Sequence, residues 1–313
     1  MRTRPSNLLI LLFAPALLPA VAPWLARGHW LLDLASCFAM QALFACAFAA
    51  LICFLCSRFR WAMAFAAGFA SAAVAVGGMV ANGAPGGSPR AEAFKVYAAN
   101  LLFGNEDGAD RVLLDIRENE PDVVFLSEVT PLWLERIQAD LDGYKVLEAK
   151  PADGPFGLAL LARIDCREVE LIDGGYDWAP AVRAVFDSPA GRVTVFGLHP
   201  PRPGDSRHNR ERDTALAHLR RTVAATSGPR IVLGDLNAAP FNPAYRDFVA
   251  ETGLRNAAGW RWLPTWTTHW PWLLRVPIDH ILVEKSLAVQ SVAVGRTFGS
   301  DHAPIHAAIV KGY

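Results

Sequence analysis

The chain has 313 residues, 52% of them hydrophobic, with 30 basic and 30 acidic side chains and no formal net charge. That balance argues against a dedicated nucleic-acid binder, which presents a basic face, and the apolar fraction excludes a disordered chain. The charge is unevenly placed: residues 1–82 hold five Arg and one Asp, which leaves the remainder with 25 basic and 29 acidic side chains.

Within residues 1–82, three windows reach the length of about 20 apolar residues that a bilayer-spanning helix needs. They cover about 7–26, 31–56 and 61–81. Pro15, Pro19 and Pro23 interrupt the first, but membrane helices tolerate Pro better than soluble ones. A cleaved signal peptide would account for this first window and for neither of the others. Arg2 and Arg4 precede the first span, and Arg58 and Arg60 sit in the tight link between the second and third. The positive-inside rule therefore puts the N-terminus and that link in the cytoplasm, and three crossings put the rest of the chain outside it. In a bacterial inner membrane that side is the periplasm. Residues 83–92 open with Gly83-Ala84-Pro85-Gly86-Gly87 and read as a short flexible linker to a domain at 93–313. Cys37, Cys46, Cys53 and Cys56 fall in the second span and Cys166 stands alone beyond it, so no disulfide framework is expected.

From residue 93 onward, apolar runs alternate with amphipathic patterns. Strands are expected at about 93–99, 122–127, 157–163, 181–187, 192–199, 230–235, 279–284, 289–295 and 304–310, and helices near 108–119, 130–141, 207–225 and 242–250. Helices mixed irregularly with hairpin-like strand pairs favour two packed sheets with outer helices over one parallel sheet.

Several of these runs begin or end at polar residues that would line a cleft. Val123 to Leu126 leads to Glu128, whose carboxylate suits a hard, oxygen-seeking cation such as Mg²⁺. Asn100 ends the first strand in the same way. Asp235 and Asn237 flank Leu236, so on an extended segment both would point to one face, an acceptor beside a donor. Ile278-Asp279-His280 starts a later strand, and Ser300-Asp301-His302 precedes the last.

Asn100, Glu128, Gly234-Asp235-Leu236-Asn237, Ile278-Asp279-His280 and Ser300-Asp301-His302 stand in the order of the signature boxes of the endonuclease/exonuclease/phosphatase superfamily, which the chain resembles over roughly residues 93–310. The resemblance implies a four-layer α/β/β/α sandwich and hydrolysis of phosphate esters with Mg²⁺, or alternatively Mn²⁺. It implies Glu128 as principal metal ligand, with Asn100 and Asp301 adding to the shell. Asp235 and Asn237 would then handle the attacking water and the phosphate. His302 would face the scissile phosphate as an imidazolium held by Asp279, which is suited to stabilising accumulating negative charge. His199, at a strand end, would contact phosphate or protonate the leaving group, or else serve only as a loop anchor, and Arg163, which stands where relatives often have Ser-Arg although Ala162 replaces the Ser, would contact phosphate or make a structural salt bridge. The place two residues after Asn100, often Asp in relatives, is Leu102.

Two segments carry further signals. Arg202, Arg207, His208, Arg210 and Arg212 follow His199, either as a solvated helix start or as a phosphate-steering group with Arg210 on the substrate. Five Trp fall within residues 260–272; with Trp266 and Trp270 beside the cleft, this loop suits a membrane interface, nucleobase stacking or packing. The sequence thus reads as a membrane-anchored phosphoesterase acting on a lipid head group or another extracytoplasmic phosphate ester. The alternatives are an extracytoplasmic nuclease, against which the acidic domain counts, and a membrane-bound binding module that lacks catalysis.

Overall fold

The computed structural model describes residues 10–312; Arg2, Arg4 and the first residues of the 7–26 window lie outside the described part. The N-terminal segment Ile10–Gly28 is helical, with α1 (Leu17–Leu25) at its centre. Then come α2 (Trp30–Ser36), α3 (Ala39–Leu55) and α4 (Phe59–Ala81). Ile10–Gly28 and Phe59–Ala81 are each long and apolar enough to cross a membrane, and a third span exists if the bent pair α2 and α3 counts as one. Small residues at the helix contacts, Ala20, Ala42, Cys46, Gly68 and Ala72, allow close approach. Outward, Phe44, Phe48, Leu51, Phe54, Met63 and Phe69 are exposed, an apolar belt that water would not leave bare.

The second window differs from expectation. α2 meets α3 at 71°, and α2 packs on the globular domain, so the apolar run of that candidate span starts at Ala39, giving a helix about 26 Å long at the usual rise. The break has a local cause: the Asp33 carbonyl accepts from the Ser36 hydroxyl at 2.6 Å and from the Asn242 amide of the globular domain at 2.8 Å. Side-chain donors thus satisfy a carbonyl at the end of α2.

The globular part contains β1 (Phe94–Asn100), α5 (Ala109–Asn119), β2 (Val123–Ser127), α6 (Pro131–Asp140), β3 (Lys145–Lys150), β4 (Leu158–Ala162), β5 (Cys166–Tyr176), β6 (Ala179–Ser188), β7 (Gly191–Gly197), α7 (Ser206–Ala225), β8 (Arg230–Asp235), α8 (Pro243–Thr252), β9 (Arg255–Asn256), β10 (Asp279–Val283), β11 (Leu287–Val294) and β12 (Ile305–Lys311). They form two six-stranded sheets, ordered β11-β12-β1-β2-β4-β3 and β5-β6-β7-β8-β10-β9. β1 and β2 are parallel in one sheet, β7 and β8 in the other, and every other pairing is antiparallel. Val96, Phe125, Leu160, Val195, Leu233 and Ile281 fill the layer between the sheets. Outside, α5 and α6 cover one sheet through Val112, Ile116 and Trp133, and α7 and α8 cover the other through Leu216, Leu219 and Phe248. The result is the expected four-layer sandwich.

Phe125 sets the distance between the sheets. Its ring occupies the space that Cβ atoms at Gly197 and Gly234 would need, and Gly234 also has φ +126, a conformation reserved for glycine. The strand β8 can therefore reach Asp235 only with Gly before it.

The segment after α4 is paired instead of free. Gly83 forms a bridge with Asn256, and Gly86 with Val289. Since β9 and β11 are edge strands of the two sheets, the Gly- and Pro-rich segment covers an open edge of each, satisfying backbone groups that would otherwise face water or another chain.

Candidate active site

The parallel pairs β1/β2 and β7/β8 send their C-terminal ends to one end of the sandwich, and the antiparallel β10 and β12 begin there. In register, Asn100 lies opposite Ser127, and Asp279 lies opposite Asp235. This topology gathers Asn100, Glu128, His199, Asp235, Asn237, Asp279 and His302 from six separate segments.

Asp235 is the hub. Its Oδ2 lies 3.2 Å from Asn100 Nδ2, 3.6 Å from His199 Nε2 and 3.7 Å from His302 Nε2, and its Oδ1 accepts the Asn237 N–H at 2.7 Å. Asn100 also donates to Glu128 Oε1 at 2.9 Å, while Glu128 Oε2 accepts the Phe103 N–H at 3.1 Å. Glu128 and Asn237 both have positive φ, 60° and 50°, a strained conformation for non-glycine residues that tends to collect at functional sites. Asn237 is therefore not on an extended segment. Its side chain leaves a left-handed turn, donating one amide hydrogen to the carbonyl of Pro200, the residue after His199, at 3.0 Å and keeping a second donor.

His302 is held by Asp279, with Nδ1 and Oδ2 2.8 Å apart, and both are buried. Burial alone would lower the imidazole, but the charges of Asp279 and Asp235 push its pKa up to about 10. For His199, burial again works downward and the Asp235 hydrogen bond and charge outweigh it, leaving a net rise. Burial pushes Asp235 up, yet the two imidazoles and the Asn237 N–H bring it below the ordinary carboxylate value. His280, on the other face of β10, is different: burial lowers it to about 4, and it bonds Ala238 O and Asn256, so it is a neutral structural imidazole.

A divalent cation fits this donor set. Among the described residues, the ion-pair partners of Glu128, Asp235 and Asp279 are His199 and His302, with no Lys or Arg beside them. Three enclosed carboxylates with two imidazoles leave an excess of hard oxygen donors, which suits Mg²⁺ chemistry. Asp235, Asp279 and His302 come within 4.8 Å of one another, but the Nδ1 to Oδ2 hydrogen bond and the cationic tendency of His302 make this trio an acid–base arrangement. Asn100 Oδ1 is turned to the Leu102 N–H at 3.0 Å. Asn100 thus bridges the Glu128 and Asp235 carboxylates through its amide nitrogen. Asp301 sits at the rim, where Oδ2 accepts the Trp266 indole N–H at 3.0 Å.

Two expected substrate residues lie elsewhere. Arg163 follows β4, whose Ala162 pairs with Val123 at the start of β2; because β4 runs antiparallel, Arg163 is at the opposite end of the sheet, bonded to Asp122 at 3.1 Å. Arg210 is on α7 and lines a cavity of about 690 Å³ between α7, α8 and the turn that precedes α2. Arg212 is buried in an ion pair, and Arg207 faces Glu211. The Arg cluster therefore does not steer phosphate as a unit. Trp266 packs beside the cleft and Trp270 against Phe38, with ring centroids 6.3 Å apart.

Sequence reading missed an aromatic wall. Phe156 lies 6.4 Å from the His199 ring and 4.4 Å from Trp178, which stacks on Tyr176 at 4.9 Å. Its only signal was Tyr176-Asp177-Trp178, aromatics in a tight turn between strands. Thr265 was missed too, and Ser300 was named in its box without a role: Thr265 Oγ1 accepts the Asp279 N–H at 3.2 Å, and Ser300 Oγ donates to Asn100 O at 2.8 Å while accepting the His302 N–H at 3.0 Å.

A family model described as the Endonuclease/Exonuclease/phosphatase family matches residues 98–302. No curated protein matches the chain in sequence. Among solved structures, D. rerio TDP2 complexed with single strand DNA product superposes with a TM-score of 0.57 at 18% identity, over 69% of this chain and 98% of that one. The mannosyl-6-phosphatase of Bacteroides thetaiotaomicron gives 0.57 at 18% identity, over 69% and 99%. Truncated Caenorhabditis elegans TDP2 gives 0.56 at 18% identity, over 70% and 97%. At such identities the likeness concerns the fold.

Proposed function

This chain belongs to the endonuclease/exonuclease/phosphatase family and is a hydrolase of phosphate esters, and from that premise we propose that it cleaves a phosphodiester or phosphomonoester presented at a membrane surface. The family is in general dependent on a divalent metal. The observation that carries the chemical part is Asp235 Oδ2 at the centre of Asn100, His199 and His302.

Glu128 would hold Mg²⁺, or Mn²⁺, together with the rim carboxylate of Asp301. When bound, such an ion neutralises charge on phosphoryl oxygens and makes water more acidic. Asp235 orients the attacking water and takes its proton as the water oxygen bonds to phosphorus. The second amide N–H of Asn237 would donate to a phosphoryl oxygen. The His302 imidazolium, fixed by Asp279, faces the charge that accumulates as the water oxygen bonds to phosphorus and the ester P–O bond breaks. His199 gives its proton to the departing alkoxide, so the products are an alcohol and a phosphate. Phe156, Tyr176 and Trp178 meet the organic part of the substrate on the His199 side.

The membrane part of the proposal rests on how the helices meet the domain. α1 approaches it at its C-terminus, where Arg27 pairs with Asp247, α3 at its N-terminus, where Gln41 donates to the Leu273 and Arg275 carbonyls, and α4 at its C-terminus. The turn at Cys56–Arg58 is at the other end of the bundle. This arrangement supports three crossings with Arg58 and Arg60 in the cytoplasm and the catalytic domain outside it. The Trp-rich loop lies at the domain end of α3, with Trp270, Trp272, Leu273 and Leu274 exposed, a composition suited to the bilayer interface.

The test uses the full chain in detergent and in vesicles, assayed on vesicle-borne phosphate esters, on single-stranded oligonucleotide and on a soluble aryl phosphodiester, with Mg²⁺, with Mn²⁺ and with chelator. Turnover that survives chelation would overturn the metal assignment, and turnover confined to the oligonucleotide would replace the membrane-surface reading with a nuclease. A periplasm-active reporter fused to the C-terminus is expected to be active, and a cytoplasm-active one silent.

A further inference from the structure

Asp33, the single acidic side chain among residues 1–82, is enclosed by protein. It is 2% exposed and its Oδ2 accepts from Arg212 Nη2 at 2.7 Å. Arg212, itself 1% exposed, turns its Nη1 to the carbonyl oxygen of Asn237 at 3.1 Å. A second strut runs beside the first. Asn242, with no exposed surface, donates to Asp33 O and Ser36 Oγ and accepts the Ala239 N–H at 2.6 Å. Both ends of the segment 237–242 are therefore fixed by side chains that also grip α2, and Cys37 Sγ adds a contact to Asn242 Oδ1 at 3.3 Å.

The physical question is what holds Asn237 in its left-handed turn. A strained backbone persists only where its surroundings over-determine it. The Asn237 N–H is taken by Asp235, its amide by Pro200 O, and its carbonyl by Arg212. Of these three restraints, only the last is mounted on a group whose own position depends on the membrane anchor. Arg212 has a second carboxylate, Asp213 Oδ1, at 2.6 Å, but Asp213 is half-exposed and on the same helix, so it neutralises Arg212 without directing it toward the loop. Asp33 supplies that direction from α2.

We propose that the membrane anchor is a working part of the active site: Asp33, acting through Arg212, is a positioning residue that sets the Asn237 turn, so turnover depends on α2 being docked. The inference rests on the reading of Asn237 as a phosphate-side donor. It makes α2 a mechanical link between the bilayer-embedded helices and the catalytic loop, because α2 continues directly into α3 through Cys37 and Phe38. Placement of a donor within a fraction of an ångström matters for rate, and errors on the order of 1 Å cost about a hundredfold.

The experiment compares full-length protein in detergent as wild type, Asp33→Ala, Asp33→Asn, Arg212→Met, the Asp33→Ala/Arg212→Met double variant, Asn237→Ala and Arg27→Ala, with kcat and KM measured on a soluble aryl phosphodiester at saturating Mg²⁺ and thermal melting recorded in parallel. Asp33→Ala is expected to lower kcat about 10- to 100-fold with KM changed less than about twofold. In the Arg212→Met background it should add no further loss, because its effect passes through that guanidinium. Arg27→Ala, which breaks an exposed contact between the same two parts of the chain, should leave kcat unchanged. Wild-type kcat in folded Asp33→Ala, or losses that multiply in the double variant, would overturn the inference. If Asp33→Ala fails to fold, Asp33→Asn, which keeps shape and removes charge, is read the same way, and wild-type kcat there overturns it equally. An active Asn237→Ala would instead undo the reading of the site on which this inference stands.

Discussion

Trp266 donates its indole N–H to Asp301 at 3.0 Å, and this bond ties the Trp-rich loop to the rim of the catalytic cleft. The same ring belongs to a cluster with Phe38, Met79, Phe241 and Ile278, where the anchor helices meet the domain. One side chain thus touches both the group proposed to help hold the metal and the packing of the N-terminal helices on the domain.

Trp266→Phe should preserve the packing and remove the hydrogen bond. Partners that orient a metal ligand typically contribute 10- to 100-fold in metal affinity, so the Mg²⁺ concentration for half-maximal activity should rise by about tenfold. An unchanged activation constant, with the melting temperature also unchanged, would show that Asp301 has no part in holding the ion.

Asp235→Asn and His302→Ala should each lower kcat about 10²- to 10⁴-fold while the fold persists, since acid–base and charge-stabilising groups contribute on that scale. Asp279→Asn should behave as a weaker version of His302→Ala, because it leaves the ring in place and removes the charge that favours its protonated form. Circular dichroism and melting curves on the same preparations separate lost chemistry from lost structure. Near-wild-type turnover in Asp235→Asn would sink the mechanism.

Gly234→Ala should be costly for a reason unrelated to chemistry. At φ +126 an L-residue is strained, and the added methyl would meet the Phe125 ring and the Leu198 carbonyl oxygen. Strain and overpacking together give about 3 kcal/mol or more, a fall in Tm on the order of 10 °C for a domain of this size. A variant melting with the wild type would mean that the sheets are not spaced by Phe125 as described.

The sandwich was legible where burial leaves a one-dimensional trace. Val123 to Leu126 and Ile231 to Leu233 are apolar because both faces of their strands are covered, and each leads to a site carboxylate. β3 and β5 escaped notice because they are edge strands: Lys145–Lys150 and Cys166–Tyr176 are studded with charges and have no continuous apolar run. The cleft's core residues could be named from ordered motifs, but Arg163 could not be placed without knowing that β4 runs antiparallel to β2. Asp33 was unreadable for a deeper reason. Its partner Arg212 is 179 residues away, and no local pattern distinguishes an acid facing a buried guanidinium from one near a membrane surface.

The exposed tip of the Trp-rich loop gives the sharpest test of a membrane-borne substrate. Trp272, Leu273 and Leu274 are 53%, 70% and 49% exposed, and Gln41 at the start of α3 holds the carbonyls of Leu273 and Arg275, so on the proposed topology the tip would lie where the candidate spans enter the bilayer. On that topology the helices attach the enzyme by themselves, so loss of these three side chains should leave attachment intact and alter only how the cleft meets the lipid surface. Replacing all three by Ser should lower turnover of a vesicle-borne phosphate ester by about tenfold, in keeping with the preference of Trp and other apolar groups for the interface. Turnover of a soluble aryl phosphodiester, which needs only the cleft, should stay within about twofold of the wild type by the same logic of uniform binding. Equal losses on both substrates together with a lowered Tm would make the tip a structural element, and no loss on either would separate the loop from substrate access altogether.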